Sequence, residues 1–353
     1  MGTYLGTQTI NNPSGLAAPF YNIQYNNLGA YAQGQYEPCS GVAITIGARY
    51  DRNSRFASSF NPRLGMVFNL SKTSTLKILY GRAFRAPTPS DSYTQYGSFE
   101  THDSGRTYHS HFMHLPNTGL KPVRSHHAEF NLEKQFSDNL VLSIDGYYTY
   151  LSGLYAFADD NTSTGIYNNR FNGIPVDFIQ VFINSDRQKN FGGSFQLKWK
   201  KSFPGFSASS HLSLSYVNGL KEQGLAEDEE TTKDMQLDFI SPVMIHLGSD
   251  IKAGKFSFSP RLLIMGKQHI AGIGDTTRNI IQRQTIAGYA LLNVAFRYQL
   301  SSRATLFANV INALDQRYRS VSFNMDLTKK ETELYHGQPQ DPIRIMTGIN
   351  FNF

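Results

Sequence analysis

The 353-residue sequence carries 33 Lys and Arg against 27 Asp and Glu, and holds 20 Tyr, 25 Phe and 29 Gly but one Trp and one Cys. This make-up suits strands joined by tight turns and is poor for helices, and no run of about 18 apolar residues exists to cross a membrane as a helix. The lone Cys39 excludes an intramolecular disulfide framework and a Cys-based zinc site, and the dispersed basic residues behind the formal charge of +6 argue against a nucleic-acid partner.

Residues 1–20 contain no Lys or Arg and no continuous apolar segment, so they do not read as a signal peptide. If the rest is an exported barrel, the expectation is that its own beginning lies outside this chain, with 1–20 a loop remnant. Tyr21 to Glu37 reads as a first strand, closed by a turn at Pro38 to Gly41. Val42, Ile44, Ile46, Ala48 and Tyr50 then alternate with Ala43, Thr45, Gly47, Arg49 and Asp51. Strands follow over Leu64–Leu70 and Leu76–Tyr80, then over Ala128–Leu132 and Leu140–Tyr150. The second half continues with Phe191–Trp199, Leu212–Tyr216, Ile245–Lys252, Phe256–Ile264, Val294–Leu300 and Leu306–Val310. The last strand, Ile343 to Phe353, places Ile343, Ile345, Ile349, Phe351 and Phe353 on one face and Arg344, Asn350 and Asn352 on the other. Side chains alternate between the faces of a strand, so each of these segments is oily on one side and wet on the other.

That makes about thirteen strands of roughly ten residues, the length a bilayer crossing at a tilt requires. Turns after Glu37, Leu70, Phe136, Lys200, Ala253 and Leu300 are short, whereas connections around 83–123, 151–177, 218–241, 268–286 and 313–341 are long and polar. Short turns on one rim and long loops on the other mark an antiparallel transmembrane β-barrel. Aromatics support it: Tyr36, Phe136, Trp199, Tyr298 and Phe351 fall near the short-turn rim, and Tyr50, Tyr80, Tyr148, Tyr150 and Tyr216 near the other. A soluble sandwich or propeller would have shorter strands and would not combine both alternations. The register puts Leu197 against lipid and Gln196 toward the lumen.

Three segments are more specific. Tyr80 to Ser90 reads YGRAFRAPTPS, Leu120-Lys121-Pro122 precedes the strand carrying Glu129 and Glu133, and residues 311–318 read INALDQRY. With the carboxy-terminal Phe, these resemble the carboxy-terminal barrel of TonB-dependent receptors, from Asn26 to Phe353. The resemblance implies that Phe84, Arg85, Ala86 and Pro87 are a family hallmark, and that Phe351 and Phe353 form the terminus read by the barrel assembly machinery. It implies a barrel of about 22 strands with a plugged lumen, of which this chain holds about the last thirteen. The implied plug, through which the TonB complex energises transport, is expected to lie outside this chain. The implied location is the outer membrane of a Gram-negative bacterium, in contact with its lipid. The implied function is uptake of a scarce nutrient such as an iron–siderophore, haem or cobalamin; a passive channel or an adhesin-like surface-binding barrel is the alternative.

No catalytic constellation or intrinsic cofactor site is visible. Asp159-Asp160 and Glu227 to Glu230 read as solvated acidic loops, with a divalent ion as the alternative. The connection after Pro87 holds His102, His109, His111 and His114 with Met113, and imidazole and thioether are side chains that ligate haem iron. Haem receptors of the same family resemble this arrangement, with Pro116-Asn117-Thr118-Gly119-Leu120 a partial match to their next segment. The expectation is that, for a haem substrate, at least one of His109, His111 and His114 is the ligand; otherwise all are ordinary loop histidines.

Overall fold

In a computed structural model the chain is dominated by one large sheet, antiparallel along its main path, with small two-stranded sheets beside it. It describes all residues except 1, 7–20, 103–106, 160–169, 172–173, 178, 223–234, 237–239, 271–273, 276–279, 282–283, 321–337 and 352–353. The acidic residues Asp160 and Glu227 to Glu230, and Phe353, therefore lie outside the described residues.

Thirteen strands follow one another in chain order. They are β1 (Asn27–Cys39), β2 (Val42–Asn53), β3 (Ser59–Ser71) and β4 (Ser74–Arg85). After the strands β5 (Tyr96–His102) and β6 (Thr107–Leu115), which stand off this path, come β7 (Val123–Ser137), β8 (Leu140–Asp159), β9 (Ile179–Phe203) and β10 (Phe206–Glu222). The series closes with β11 (Val243–Ala253), β12 (Phe256–Met265), β13 (Tyr289–Gln299), β14 (Ala304–Ile311) and β15 (Arg344–Phe351). Each pairs with the strand before and after it, so the expected strand count and order hold. The sheet is open: among the described residues β1 and β15 have no further neighbour.

Register shows why the sequence adopts this form. One row runs through Val42, Phe68, Leu76, Leu132, Ile144, Phe195, Leu214, Ile245, Ile264 and Ala290, apolar across ten strands. On the other face Asn69, Thr75, Glu133, Ser143, Gln196, Ser213 and His246 form a polar row. A one-residue slip would exchange the two faces in full, which fixes the register. Among the described residues nothing covers the apolar face: Leu214 is 42% exposed and Ile345 65%. The polar face lines a groove of about 980 Å³ that includes Asp250, Arg261, Asn293 and Arg297. Apolar outside and polar inside is the pattern of a barrel immersed in lipid.

The short turns fall on one rim. Gly254, for instance, turns β11 into β12 at φ +56°, a conformation that favours glycine. Leu140 faces Trp199 at this rim, and Tyr150 lies ten residues further along β8. At roughly 3.3 Å per residue and a tilt near 40° that is about 25 Å, the height of a barrel's lipid-facing band.

Two expectations need correction. The strands are not uniformly near ten residues: β9 has 25 and β8 has 20, so Leu151–Asp159, expected in a loop, is strand, and β9 starts at Ile179, well before the expected Phe191. Beyond the lipid both faces meet water or polypeptide, so alternation fades at Asn184, Asp186 and Arg187 while backbone pairing continues. The first strand is also divided. Tyr21–Tyr25 pairs with Gly2–Gly6, because β2 ends at Asn53 and gives nothing before Asn27 a partner; part of the presumed loop remnant is thus a strand.

The register carries a direct test. Arg placed at a lipid-facing midplane position costs about 2–4 kcal/mol, and the lumen accommodates it. In equilibrium unfolding of the full-length protein, Leu197→Arg should lose about that much and Gln196→Arg much less; equal losses would place the register one residue off.

Candidate functional site

The β4–β7 connection starts and ends on the same anchor. Phe84 and Arg85 close β4 opposite Arg124 and Val123 of β7. The Arg85 guanidinium lies 5.0 Å from the centre of the Tyr155 ring, and the Tyr155 hydroxyl donates to the Lys121 carbonyl at 3.3 Å. Burial pushes the Tyr155 phenol up to about 12, against a smaller opposing pull from Arg85, so it acts as a neutral donor. Asn184 completes the clamp. Its Oδ1 accepts from the Lys121 amide at 2.7 Å, and its Nδ2 donates to the carbonyls of Lys121 and Gly153 at 2.8 Å each. Ala86 and the buried Pro87 then lead into a single helical turn, α1 (Pro89–Tyr93), whose start is held by the reciprocal Thr88–Asp91 capping box. The hallmark segment and Leu120-Lys121-Pro122 are therefore the two ends of one buttress on β8 and β9.

The INALDQRY segment does similar work. Asn312 and Asp315 both take positive φ, which Asn and Asp tolerate. Asn312, 3% exposed, donates to the carbonyls of Gln316 and Asp341 and accepts from the Gln316 amide. Asp315 accepts from the Ile343 amide at 3.0 Å, which aims the chain into β15.

Between the clamped ends of the β4–β7 connection, β5 and β6 form a hairpin, where a polar loop was expected. β10 ends at Glu222 opposite Arg187, and beyond it β6 takes over the free edge of β9 in parallel, with Met113, His114 and Leu115 opposite Ile179, Gln180 and Val181. This junction holds the compact apolar cluster Met113, Leu115, Val176 and Ile179. Full burial of side chains of this size stabilises by about 1.5–3 kcal/mol each. Gly97 fits here, because a Cβ on it would come 2.6 Å from the Phe112 carbonyl oxygen, which cannot move aside as a side chain can.

The junction separates the histidines. His114 is 2% exposed, stacked on Tyr96 at 5.0 Å with Phe182 and Phe157 at its edges. Burial lowers its pKa, so it sits neutral in the core with Met113, and neither is a surface ligand. His102 is placed by its backbone at the end of the hairpin, opposite Thr107. His109 and His111, two residues apart on β6, share a face, and Glu100 lies directly across from His109 on β5. The Asp177 amide donates to the Ser110 carbonyl at 2.9 Å, which sets the Asp177 carboxylate beside both imidazoles.

The resulting group is closely spaced. His109 reaches Asp177 through Nε2 at 2.8 Å and Glu100 through Nδ1 at 3.6 Å. His111 reaches Asp177 through Nδ1 and Glu100 through Nε2, each at 3.2 Å. Hydrogen bonds from Asp177 and then Glu100 raise the His111 pKa; for the Asp177 carboxyl desolvation is the largest single influence and pushes up, but the hydrogen bonds and charges of His109 and His111 together outweigh it and hold the group low. Glu100 and Asp177 were not singled out from sequence. Asp177 lies 68 residues beyond His109, and only the hairpin's capture by β9 joins them. The same-strand spacing of His109 and His111 was the one signal available.

A second recess, of about 520 Å³, lies beside the hallmark segment and is bordered by Phe84, Arg85, Leu151, Tyr155, Gln188 and Lys221. Lys221 reaches the buried Asp186 at 2.7 Å.

A family model described as "TonB dependent receptor-like, beta-barrel" matches residues 2–313. No curated protein matches the sequence. Among solved structures, the chain is similar to the outer membrane transporter YddB of Escherichia coli, at 12% identity and a TM-score of 0.69 over 96% of this chain and 46% of that one. It is also similar to a mutant of the ferric enterobactin receptor PfeA of Pseudomonas aeruginosa, at 18% identity and a TM-score of 0.66 over 93% and 45%. The siderophore receptor PirA of Acinetobacter baumannii matches at 15% identity and a TM-score of 0.64 over 93% and 46%. The chain thus spans less than half the length of these proteins.

Two checks follow. Asn184→Ala removes the three hydrogen bonds to the Lys121 and Gly153 backbone, at about 0.5–1.5 kcal/mol each. Limited proteolysis should then cut the 86–122 connection several-fold faster while leaving the strands intact; an unchanged rate would remove Asn184 from the anchor. For His114, whose folded pKa lies below its unfolded value of about 6.5, the stabilisation is complete above that value and is lost as pH falls through the folded pKa. Hydrogen exchange over β5–β6, corrected for intrinsic rates, should lose protection on acidification to pH 5, and His114→Met should flatten that loss. The same acid response in both proteins would contradict a neutral buried role.

Proposed function

The chain belongs to the TonB-dependent receptor-like β-barrel family, and from that premise we propose that it acts in energised uptake of an anionic iron chelate across the outer membrane of a Gram-negative bacterium. Energy comes from the TonB complex acting on a plug, since TonB-dependent transport couples through that domain. The supporting observation is the charge of the inner face. The 980 Å³ groove carries Lys200, Lys252, Arg261 and Arg297 against Asp250 alone, and Arg261 grips Asp250 with two contacts of 2.7 Å. Arg85 adds a cation at the recess beside the hallmark segment. A patch with an excess of one sign concentrates ligands of the other and speeds their capture.

The names of PfeA and PirA, a ferric enterobactin receptor and a siderophore receptor, support the same substrate class. A haem substrate would be held through an axial ligand to its iron, of which imidazole is the commonest. His114 is 2% exposed in the junction, so the imidazole nearest the following strand is not presented to a haem.

The test is uptake of a radiolabelled ferric catecholate chelate by cells carrying the full-length receptor. Uptake should saturate, stop with a protonophore or without TonB, and lose affinity by about tenfold or more in a Lys252→Glu/Arg297→Glu variant, since like charge then replaces attraction. Uptake that continues without energy would mean a passive channel, and surface binding without internalisation would mean an adhesin-like barrel.

A further inference from the structure

We infer that Glu100, His109 and His111 form a binding site for one divalent first-row transition-metal ion, with Asp177 orienting the two imidazoles. One donor atom from each of the three lies within 4.8 Å of the others. The finer distances fit the assignment. A tetrahedral ion with bonds near 2.1 Å separates its donors by roughly 3.4 Å. The Glu100 carboxylate spans the two imidazoles, with Oε1 3.6 Å from His109 Nδ1 and Oε2 3.2 Å from His111 Nε2.

The far side of the rings decides between a metal site and a mere patch of ion pairs. Asp177 lies against the other nitrogen of each imidazole, His109 Nε2 at 2.8 Å and His111 Nδ1 at 3.2 Å. If both N–H groups point at Asp177, the tautomers are fixed, and the lone pairs of His109 Nδ1 and His111 Nε2 point toward Glu100. A carboxylate accepting from the remote nitrogen is the usual support of a metal-binding histidine, since it fixes the ring and raises its basicity. Here one carboxylate does this for two histidines.

The donor set, two imidazoles and a carboxylate, selects zinc or copper over magnesium or calcium, which prefer all-oxygen shells. The fourth position is left to water or to a donor atom of an incoming ligand. Access is open, as the His111 side chain is 60% exposed and Glu100 42%. The scaffold is suited to hold the geometry: His109 and His111 sit on a paired strand whose next residues, Met113 to Leu115, are locked into the buried junction.

This inference goes beyond the uptake reading and does not rest on it, because equilibrium binding needs neither a chelate nor an energised membrane. The experiment titrates zinc chloride into the full-length receptor in detergent, with magnesium chloride as control, and follows cobalt(II) visible absorption in parallel. One zinc per chain should bind saturably, magnesium should give no saturable signal, and cobalt should show the intense bands of a four-coordinate site. His109→Ala/His111→Ala should abolish binding, and Asp177→Asn should weaken it by 10–100-fold. Glu100→Gln, close in size, should also weaken it and serves if the double variant misfolds, with heat-modifiable migration on a gel reporting the barrel. Absence of saturable zinc binding, or wild-type binding in the double variant or in Glu100→Gln, would overturn the assignment. Loss of zinc binding with intact chelate uptake would leave the proposed function standing, and the converse would overturn that proposal alone.

Discussion

The rest of this structure depends on the need to satisfy backbone hydrogen bonds where no water is present. In hydrocarbon each unpaired N–H or C=O costs several kcal/mol, so a strand crossing lipid must be bonded on both sides along its length. A chain that meets this need most locally pairs each strand with the one before it, and the unbroken order of the thirteen strands is that solution. Alternation follows from it, because a pleated strand bonded on both edges has only its two faces left to differ. The apolar row from Val42 to Ala290 and the polar row from Asn69 to His246 are the two outcomes. The same constraint makes the open edges at β1 and β15 places where a further strand belongs.

Above the lipid the constraint relaxes, and there the fold becomes specific to this protein. Once water can satisfy a backbone edge, β10 can stop while β9 continues, and the vacated edge of β9 is free for β6. That exchange gives the chain its compact apolar core, at Met113, Leu115, Val176 and Ile179, in a molecule whose other apolar side chains mostly face outward. It also draws Asp177 beside His109 and His111. The hallmark residues serve this arrangement: Arg85 on Tyr155 and Lys121 on Asn184 hold the two ends of the connection, so that the hairpin between them has one docking position.

What the sequence made legible follows the same division. Within the lipid one side chain in two must be apolar, so the strands, their faces and the parity of turns could be read from residues such as Val42 to Tyr50 or Leu140 to Tyr150. Beyond it no such rule applies: Asn184, Asp186 and Arg187 continue a strand with nothing in their alternation to say so. The hairpin was hidden for a related reason. His109, His111 and His114 are polar in composition, yet one faces a core of aromatic rings and two face carboxylates, and the difference is one of parity on a strand whose partner lies some 65 residues away. Asn312 and Asp315 were visible as part of a family-like segment, whereas their work in turning the chain into β15 required the geometry.

The central claim is that the sheet presents one face to lipid and the other to an aqueous lumen, with Leu214 and Ser213 neighbours on opposite sides. Spin labels placed singly at these two positions in the full-length receptor, reconstituted in bilayers, test it most directly. The label at 214 should collide strongly with oxygen and weakly with a water-soluble nickel chelate, and the label at 213 should show the reverse. Equal access of the nickel chelate at both positions would contradict a lipid-facing sheet, and an exchange of the two patterns would show that the faces are reversed.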